Sequence, residues 1–107
     1  MKKTPAPLFA AALLAAAFAL PAHADAQADL TKAGCMACHA KDKKMVGPAF
    51  KDIAAKYKGK DVVADLAAKV RAGGKGVWGP VPMPPTGPDK ISDDALKAGI
   101  QFILSTT

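Results

Sequence analysis

The most constraining feature of this chain is a single run of five residues. Its only two cysteines, Cys35 and Cys38, are three residues apart, and His39 follows directly. A C-x-x-C-H run is the sequence at which c-type haem is attached. Two thiols at this spacing can each add to one vinyl group of the same haem, and the imidazole that follows lies within reach of iron. The motif therefore predicts one covalent haem c, with His39 as an iron ligand.

Three other uses of these residues are weaker hypotheses. A disulfide between cysteines so close in sequence closes a very short loop and could stabilise the fold only slightly. A C-x-x-C thiol redox site belongs beside a β-α-β pattern, which this sequence lacks. A structural zinc site needs four ligands, and residues 25–107 offer only two cysteines and one histidine.

The N-terminus has the layout of a secretory signal peptide. Lys2 and Lys3 precede an apolar run of 13 residues, 8–20, and the small residues Ala22 and Ala24 flank a histidine. A membrane-spanning helix needs about 20 apolar residues, so this run is too short to be a stable anchor. We expect residues 1–24 to be cleaved after export, which leaves residues 25–107 as one domain.

The mature domain is small and basic. Residues 25–107 carry 13 basic and nine acidic side chains, a formal charge of +4. A domain of 83 residues gains only a thin margin of stability from its core, so it usually needs a disulfide, a metal or a bulky cofactor. Nucleic acid is not an expected partner, because export separates the protein from it and no groove-reading motif is present.

The pattern of apolar residues predicts an all-α fold with three or four short helices. Between the third and fourth of them, residues 73–88 contain five glycines and five prolines, which predicts a stiff, extended loop and no strand. The expected helices cover 26–33, 49–57, a segment capped by Asp61 with apolar residues through Val70, and a last segment capped by Ser92.

The second axial ligand of the iron decides between functions, because an open position suits gas or peroxide chemistry and a filled one suits electron transfer. Met36 lies between the two cysteines, and Met45 is only six residues past His39. Met83 is 44 residues past His39 and has a proline on each side, so a rigid backbone would present its thioether at low entropic cost. We therefore predict Met83 as the second ligand.

Three motifs resemble those of the small bacterial class I c-type cytochromes of the cytochrome c551/c552 (c8) group, and the resemblance covers essentially all of residues 25–107. It implies the class I cytochrome c fold, with helices wrapped around one haem and a Pro/Gly-rich loop carrying the Met ligand. It also implies a monomeric, periplasmic one-electron carrier that is no enzyme and has no catalytic residue. The expected partners are membrane cytochrome complexes, nitrite reductase or terminal oxidases. The motifs are residues 34–39, 45–50 and 76–85.

The same resemblance assigns individual roles. Cys35 and Cys38 would hold the haem, while His39 and Met83 would ligate iron. The Pro48 carbonyl would accept a hydrogen bond from the His39 ring.

The resemblance also assigns roles to other residues by their position in the sequence. The Trp78 indole N–H and the Lys69 ammonium would contact haem propionates, and Arg71 lies close to Lys69 in sequence. Phe102 would pack near Leu30. Residues 86–90 are longer than is usual in the group, so the resemblance does not define the path of the chain after Met83.

Two groups of lysines suggest how the protein meets its partners: Lys41, Lys43 and Lys44, and Lys56, Lys58 and Lys60. An electrostatic guide toward acidic partners is one hypothesis, and a merely solvated surface is the alternative. Two rival functions also stay open: a ligand-binding or sensing haem protein in which Met83 is absent from the iron or easily displaced, and a dithiol oxidoreductase that uses Cys35 and Cys38.

Overall fold

The computed structural model describes residues 2–7 and 25–107. The apolar run and the expected cleavage site of the signal peptide lie largely outside these residues, so that interpretation stays a prediction. Within the described ranges, no helix has both the length and the apolarity needed to cross a membrane.

Four α-helices dominate the described chain, as the sequence pattern predicts. A single 3₁₀ turn, Cys35–Ala37, follows the first of them, and two short strands lie between the third and the fourth. The helices are α1 (Ala26–Lys32), α2 (Phe50–Lys56), α3 (Val63–Ala72) and α4 (Asp93–Leu104), and the strands are β1 (Gly74–Gly76) and β2 (Gly79–Met83).

One of the two predicted helix caps is correct. The Ser92 side chain accepts a hydrogen bond from the Ala95 N–H at 3.2 Å, so it caps α4. The prediction for Asp61 is wrong, because Val62 occupies the cap position of α3 and no side chain caps that helix. The start of α3 follows the packing of its apolar face against the core, since tertiary contacts supply most of a helix's stability.

The prediction that residues 73–88 contain no strand is also wrong. β1 and β2 form an antiparallel pair in which Gly74 lies opposite Met83 and Gly76 opposite Gly79, with an irregular register between the two glycines of β1. Both strands of a two-stranded sheet are edge strands, and prolines are tolerated where no ladder hydrogen bond is needed. The hairpin ends at Met83, so it fixes the chain on the N-terminal side of the predicted iron ligand.

The core lies where α1, α2 and α4 meet. Its buried cluster contains Leu30, Phe50, Ile91, Leu96 and Ile100. Half-buried Phe102 packs against this cluster, as the sequence analysis expects.

A glycine lets α1 and α4 approach closely. A Cβ atom added at Gly99 would lie 2.7 Å from the Leu30 Cδ2 atom. Leu30 is only 1% exposed, so its side chain has little room to move away. Helix propensity alone disfavours a glycine in mid-helix, and this contact explains why one stands there.

Replacing Gly99 by valine should therefore destabilise the protein. We expect the free energy of unfolding to fall by about 1–3 kcal/mol, the usual cost of forcing extra methyl groups into a packed core. Guanidinium unfolding measures the change. Gln101→Ala, at an exposed position of the same helix, is the control and should leave stability nearly unchanged. Equal stability of Gly99→Val and the wild type would contradict the close packing of the two helices.

Candidate haem-binding site

Both cysteines and the histidine lie on one tight turn after α1. Gly34 has a left-handed backbone, with φ of 90°, and it redirects the chain from α1 into the 3₁₀ turn. The Cys35 carbonyl then accepts hydrogen bonds from the N–H groups of Cys38 at 3.2 Å and His39 at 3.0 Å. This compact turn keeps two thiols and an imidazole together.

The two sulfur atoms do not form a disulfide. Cys35 and Cys38 are both free thiols, and both residues are half-buried. Burial raises the pKa of the Cys35 thiol above its ordinary value. Redox-active dithiols work through a lowered pKa, so this environment does not favour the dithiol oxidoreductase hypothesis.

The His39 ring is held in a defined orientation. Its Nδ1 atom lies 2.8 Å from the Pro48 carbonyl oxygen, which is the hydrogen bond that the resemblance implies. A carbonyl can only accept, so Nδ1 carries the proton and Nε2 keeps the lone pair that a metal needs. The Phe50 ring stacks on the imidazole, with centroids 5.6 Å apart and 24° between the planes.

Gly47 completes this side of the site, and the sequence analysis missed its role. Its N–H donates to the Cys38 carbonyl at 2.7 Å. A Cβ atom at position 47 would lie 2.5 Å from His39 Cε1 and 2.9 Å from Nδ1, so only glycine lets the loop pass the ring. Nothing in the Gly47-Pro48 dipeptide itself indicates contact with the imidazole.

Met83 lies at the end of β2 and is half-buried. A Cβ atom at Gly73, which follows α3, would lie 2.6 Å from the Met83 carbonyl oxygen and 2.7 Å from the Pro85 nitrogen. The C-terminal end of α3 thus packs directly on the backbone that carries Met83. The sequence analysis counted Gly73 only among the glycines of the loop 73–88.

The other two candidate methionines have different surroundings. Met36 packs against the hydrophobic core, and Met45 is exposed in the loop before α2. Neither lies between a paired strand and the packed end of a helix, as Met83 does.

The two residues assigned to haem propionates lie on separate elements. Trp78 is in the turn between β1 and β2 and is 42% exposed, and the Lys56 ammonium lies 5.3 Å from its ring centroid. This cation–π contact links α2 to the hairpin. Lys69 is exposed on α3. Their roles toward a propionate stay predictions.

Arg71 holds the chain that follows Met83, a role that the sequence analysis did not predict. Its guanidinium donates to the carbonyls of Thr86, at 3.1 Å, and Ile91, at 2.9 Å, and to the Asp93 carboxylate, at 2.7 Å. The hydrogen bond and charge of Arg71 hold the pKa of Asp93 below its usual range. These contacts define the path of the chain after Met83, which the resemblance left undefined.

The described residues leave apolar surface uncovered that a bulky apolar group could cover. On α3 the apolar Leu66 and Val70 pack against the core but are only partly buried. Several large apolar side chains are exposed: Met45, Val46, Val77, Trp78 and Val81. With two free thiols and an oriented imidazole, this donor set fits a covalently attached haem. Within residues 2–7 and 25–107, no group of three or more His, Cys, Asp or Glu side chains could hold a metal ion by themselves.

Comparisons with known proteins agree on one family. Residues 22–103 match the family model described as cytochrome c oxidase, cbb3-type, subunit III. The chain is 48% identical to cytochrome c-552 of Nitrosomonas europaea, over 85% of this chain and 88% of that protein. It is 43% identical to cytochrome c-551 of Stutzerimonas stutzeri, over 98% of each chain.

A solved structure agrees with these matches. The crystal structure of wild-type Nitrosomonas europaea cytochrome c552 superposes with a TM-score of 0.67 at 44% identity. The match covers 76% of this chain and 99% of that one. The similarity therefore extends over nearly the whole of the known structure.

The contact between Gly47 and His39 predicts the effect of a small substitution. Gly47→Ala should lower the free energy of unfolding by about 1–3 kcal/mol, because the new methyl group would push the imidazole away from Pro48. The measurement is guanidinium unfolding of the purified protein. Gly87→Ala is the matched control, since its Cβ would meet only the exposed Asp89 carboxylate. Equal losses in the two variants would contradict a specific contact with the ring.

Proposed function

We propose a function for this chain from the family to which it belongs, the small class I c-type cytochromes of the cytochrome c-551 and c-552 group. The chain is an electron-carrier cytochrome with covalent haem c. Our proposal is that it carries one electron at a time in the periplasm, with His39 and Met83 as the two axial ligands of the iron. The observation that carries the proposal is an imidazole with Nδ1 fixed by Pro48, directly after two free thiols.

Cys35 and Cys38 would hold the haem through thioether bonds, and His39 would ligate iron through Nε2. The Pro48 carbonyl keeps the proton on Nδ1, which fixes the tautomer and raises the basicity of the ligating nitrogen. When bound, the haem supplies a reversible one-electron change between Fe(II) and Fe(III). Phe50 and Gly47 confine the ring, so its orientation would change little between the two states.

Met83 would supply a soft sulfur ligand, which favours Fe(II) and raises the reduction potential. The hairpin fixes its backbone on one side, and α3 packs against it through Gly73. If His39 and Met83 both ligated the iron, no position at the metal would be left for a substrate. No side chain is needed as acid, base or nucleophile, so we propose a carrier and not an enzyme.

Trp78 and Lys69 are the proposed propionate contacts. The Lys56 ammonium over the Trp78 ring supports this role for Trp78, because it restrains an indole that is otherwise partly exposed. Lys69 is exposed on α3, and its role as a propionate contact is proposed from the resemblance.

The proposed location rests on the layout of residues 1–24, and the proposed partners rest on the resemblance to the cytochrome group. Residues 1–24 would direct export and be removed, and the mature monomer would act in the periplasm without membrane insertion. Its partners would be redox proteins such as membrane cytochrome complexes, nitrite reductase or a terminal oxidase, and not nucleic acid.

An absorption spectrum tests the assignment of the sulfur ligand. The wild-type ferric protein should show the weak far-red band of sulfur-ligated haem. Met83→Ala should lose that band, because no other methionine of residues 2–7 and 25–107 is held between the hairpin and the end of α3. Met45→Ala is the matched control at an exposed methionine and should keep the band.

The same spectra separate the rival functions. Wild-type haem without the far-red band, binding carbon monoxide readily when reduced, would contradict the proposal and favour the sensing protein. A colourless protein with two titratable thiols would favour the dithiol oxidoreductase.

The lysines after the haem motif predict an effect on encounter rates. Lys41, Lys43 and Lys44 are all exposed. Replacing all three by alanine should slow oxidation of the reduced protein by ferricyanide and weaken the dependence of that rate on salt, because a cluster of positive charge attracts the anion. Stopped-flow absorption measures the rate.

A control variant removes the same charge elsewhere. Lys32, Lys90 and Lys97 are exposed residues of α1, the segment before α4, and α4 itself. Their joint replacement by alanine should slow the reaction less than the change at Lys41, Lys43 and Lys44. Equal oxidation rates for the two triple variants would show that only the net charge of the protein matters. That result would contradict local electrostatic attraction by the lysines after the haem motif.

A further inference from the structure

Arg71 joins α3 to both ends of the segment that leads from β2 to α4. This segment, residues 84–92, is called the exit segment here. One guanidinium nitrogen, Nη1, donates to the Thr86 carbonyl at 3.1 Å. The other, Nη2, donates to the Ile91 carbonyl at 2.9 Å and to the Asp93 carboxylate at 2.7 Å. Arg71 itself is largely shielded, with 22% of its side chain exposed.

The contact with Thr86 holds the chain just after Met83. Pro84 and Pro85 have no backbone N–H, so the N–H of Thr86 is the first backbone donor after Met83. It donates to the Val70 carbonyl at 2.9 Å, and the Thr86 carbonyl accepts from the guanidinium. Two consecutive residues of α3 therefore hold Thr86 through both of its backbone polar groups.

Met83 thus lies between two attachments. On its N-terminal side it pairs with Gly74 in the hairpin. On its C-terminal side the rigid Pro84-Pro85 pair leads to Thr86, while Gly73 lies against the backbone in between. Moving Met83 away from its position requires the exit segment to separate from α3, and the guanidinium contacts oppose that separation.

We propose that Arg71 is a positioning residue for the Met83 thioether, which keeps the sulfur on the iron by holding the exit segment against α3. The proposal rests on the function proposed above. A charge-assisted fork that binds three acceptors is stronger than neutral hydrogen bonds and cannot be reproduced by a single ammonium group. All the hydrogen bonds described for the Arg71 side chain go to the exit segment and Asp93, so its role differs from the propionate contact expected of Lys69.

The test is competition between Met83 and added imidazole for ferric iron in the holoprotein at neutral pH. Imidazole binding is followed by loss of the far-red band. Arg71→Met keeps a long side chain on α3 but removes all three hydrogen bonds. We expect it to raise the apparent imidazole affinity about tenfold, as expected for loss of roughly one charge-assisted hydrogen bond's net free energy. Arg71→Lys should recover part of the wild-type resistance.

Lys97→Met is the matched control, because it removes one positive charge from an exposed position of α4. It should leave the imidazole affinity unchanged. Guanidinium unfolding of the same variants separates positioning from general stability: a merely structural Arg71 would lower the unfolding midpoint without changing the imidazole affinity of the folded protein.

Three results would overturn the proposal. If the wild type shows the far-red band and Arg71→Met binds imidazole as weakly as the wild type, Arg71 does not position the sulfur. If Arg71→Met does not fold, Arg71→Lys and Asp93→Asn are measured instead. Wild-type imidazole affinity in both of these variants would also show that Arg71 does not position the sulfur. A wild type without the far-red band would overturn the Met83 assignment itself, and the role of Arg71 would fall with it.

Discussion

The hydrogen bond from His39 Nδ1 to the Pro48 carbonyl is the interaction on which the site depends. It leaves one nitrogen of the ring available, and it ties the motif at the end of α1 to the start of α2. Gly47 and Phe50, on either side of Pro48 in sequence, confine the same ring, so one short stretch of chain orients the imidazole and enters the core through Phe50. A ligand held this firmly suits electron transfer, because little needs to reorganise when the charge of the metal changes.

The second half of the site depends on the end of α3. Gly73 lets the chain that carries Met83 lie against the helix, and Val70 and Arg71 hold the segment that follows. The hairpin holds the segment that precedes it. The proposed sulfur ligand therefore depends on a few backbone contacts and one guanidinium, while the large buried side chains lie mainly in the cluster between α1, α2 and α4.

Local patterns in the sequence predicted the helices better than the contacts between elements. The spacing of Cys35, Cys38 and His39 and the prolines around Met83 indicate chemistry directly, and Ser92 correctly marks the start of α4. The sequence analysis gave no role to the close contacts of Gly47, Gly73 and Gly99, because close approach to a residue outside the glycine's own element leaves no periodic pattern. Arg71 could not be assigned for the same reason, since its acceptors lie 15 to 22 residues away. The hairpin was missed because glycine and proline argue against strands in general, although a two-stranded ribbon tolerates both.

The most direct test of this account is the intact mass of the protein purified from the periplasm and treated with acid-acetone under denaturing conditions. We predict the mass of residues 25–107 plus one haem, with no thiol left to alkylate, because Cys35 and Cys38 would both be in thioether bonds. A chain without haem that takes up two alkyl groups would contradict the central claim that these thiols and His39 hold a covalent haem.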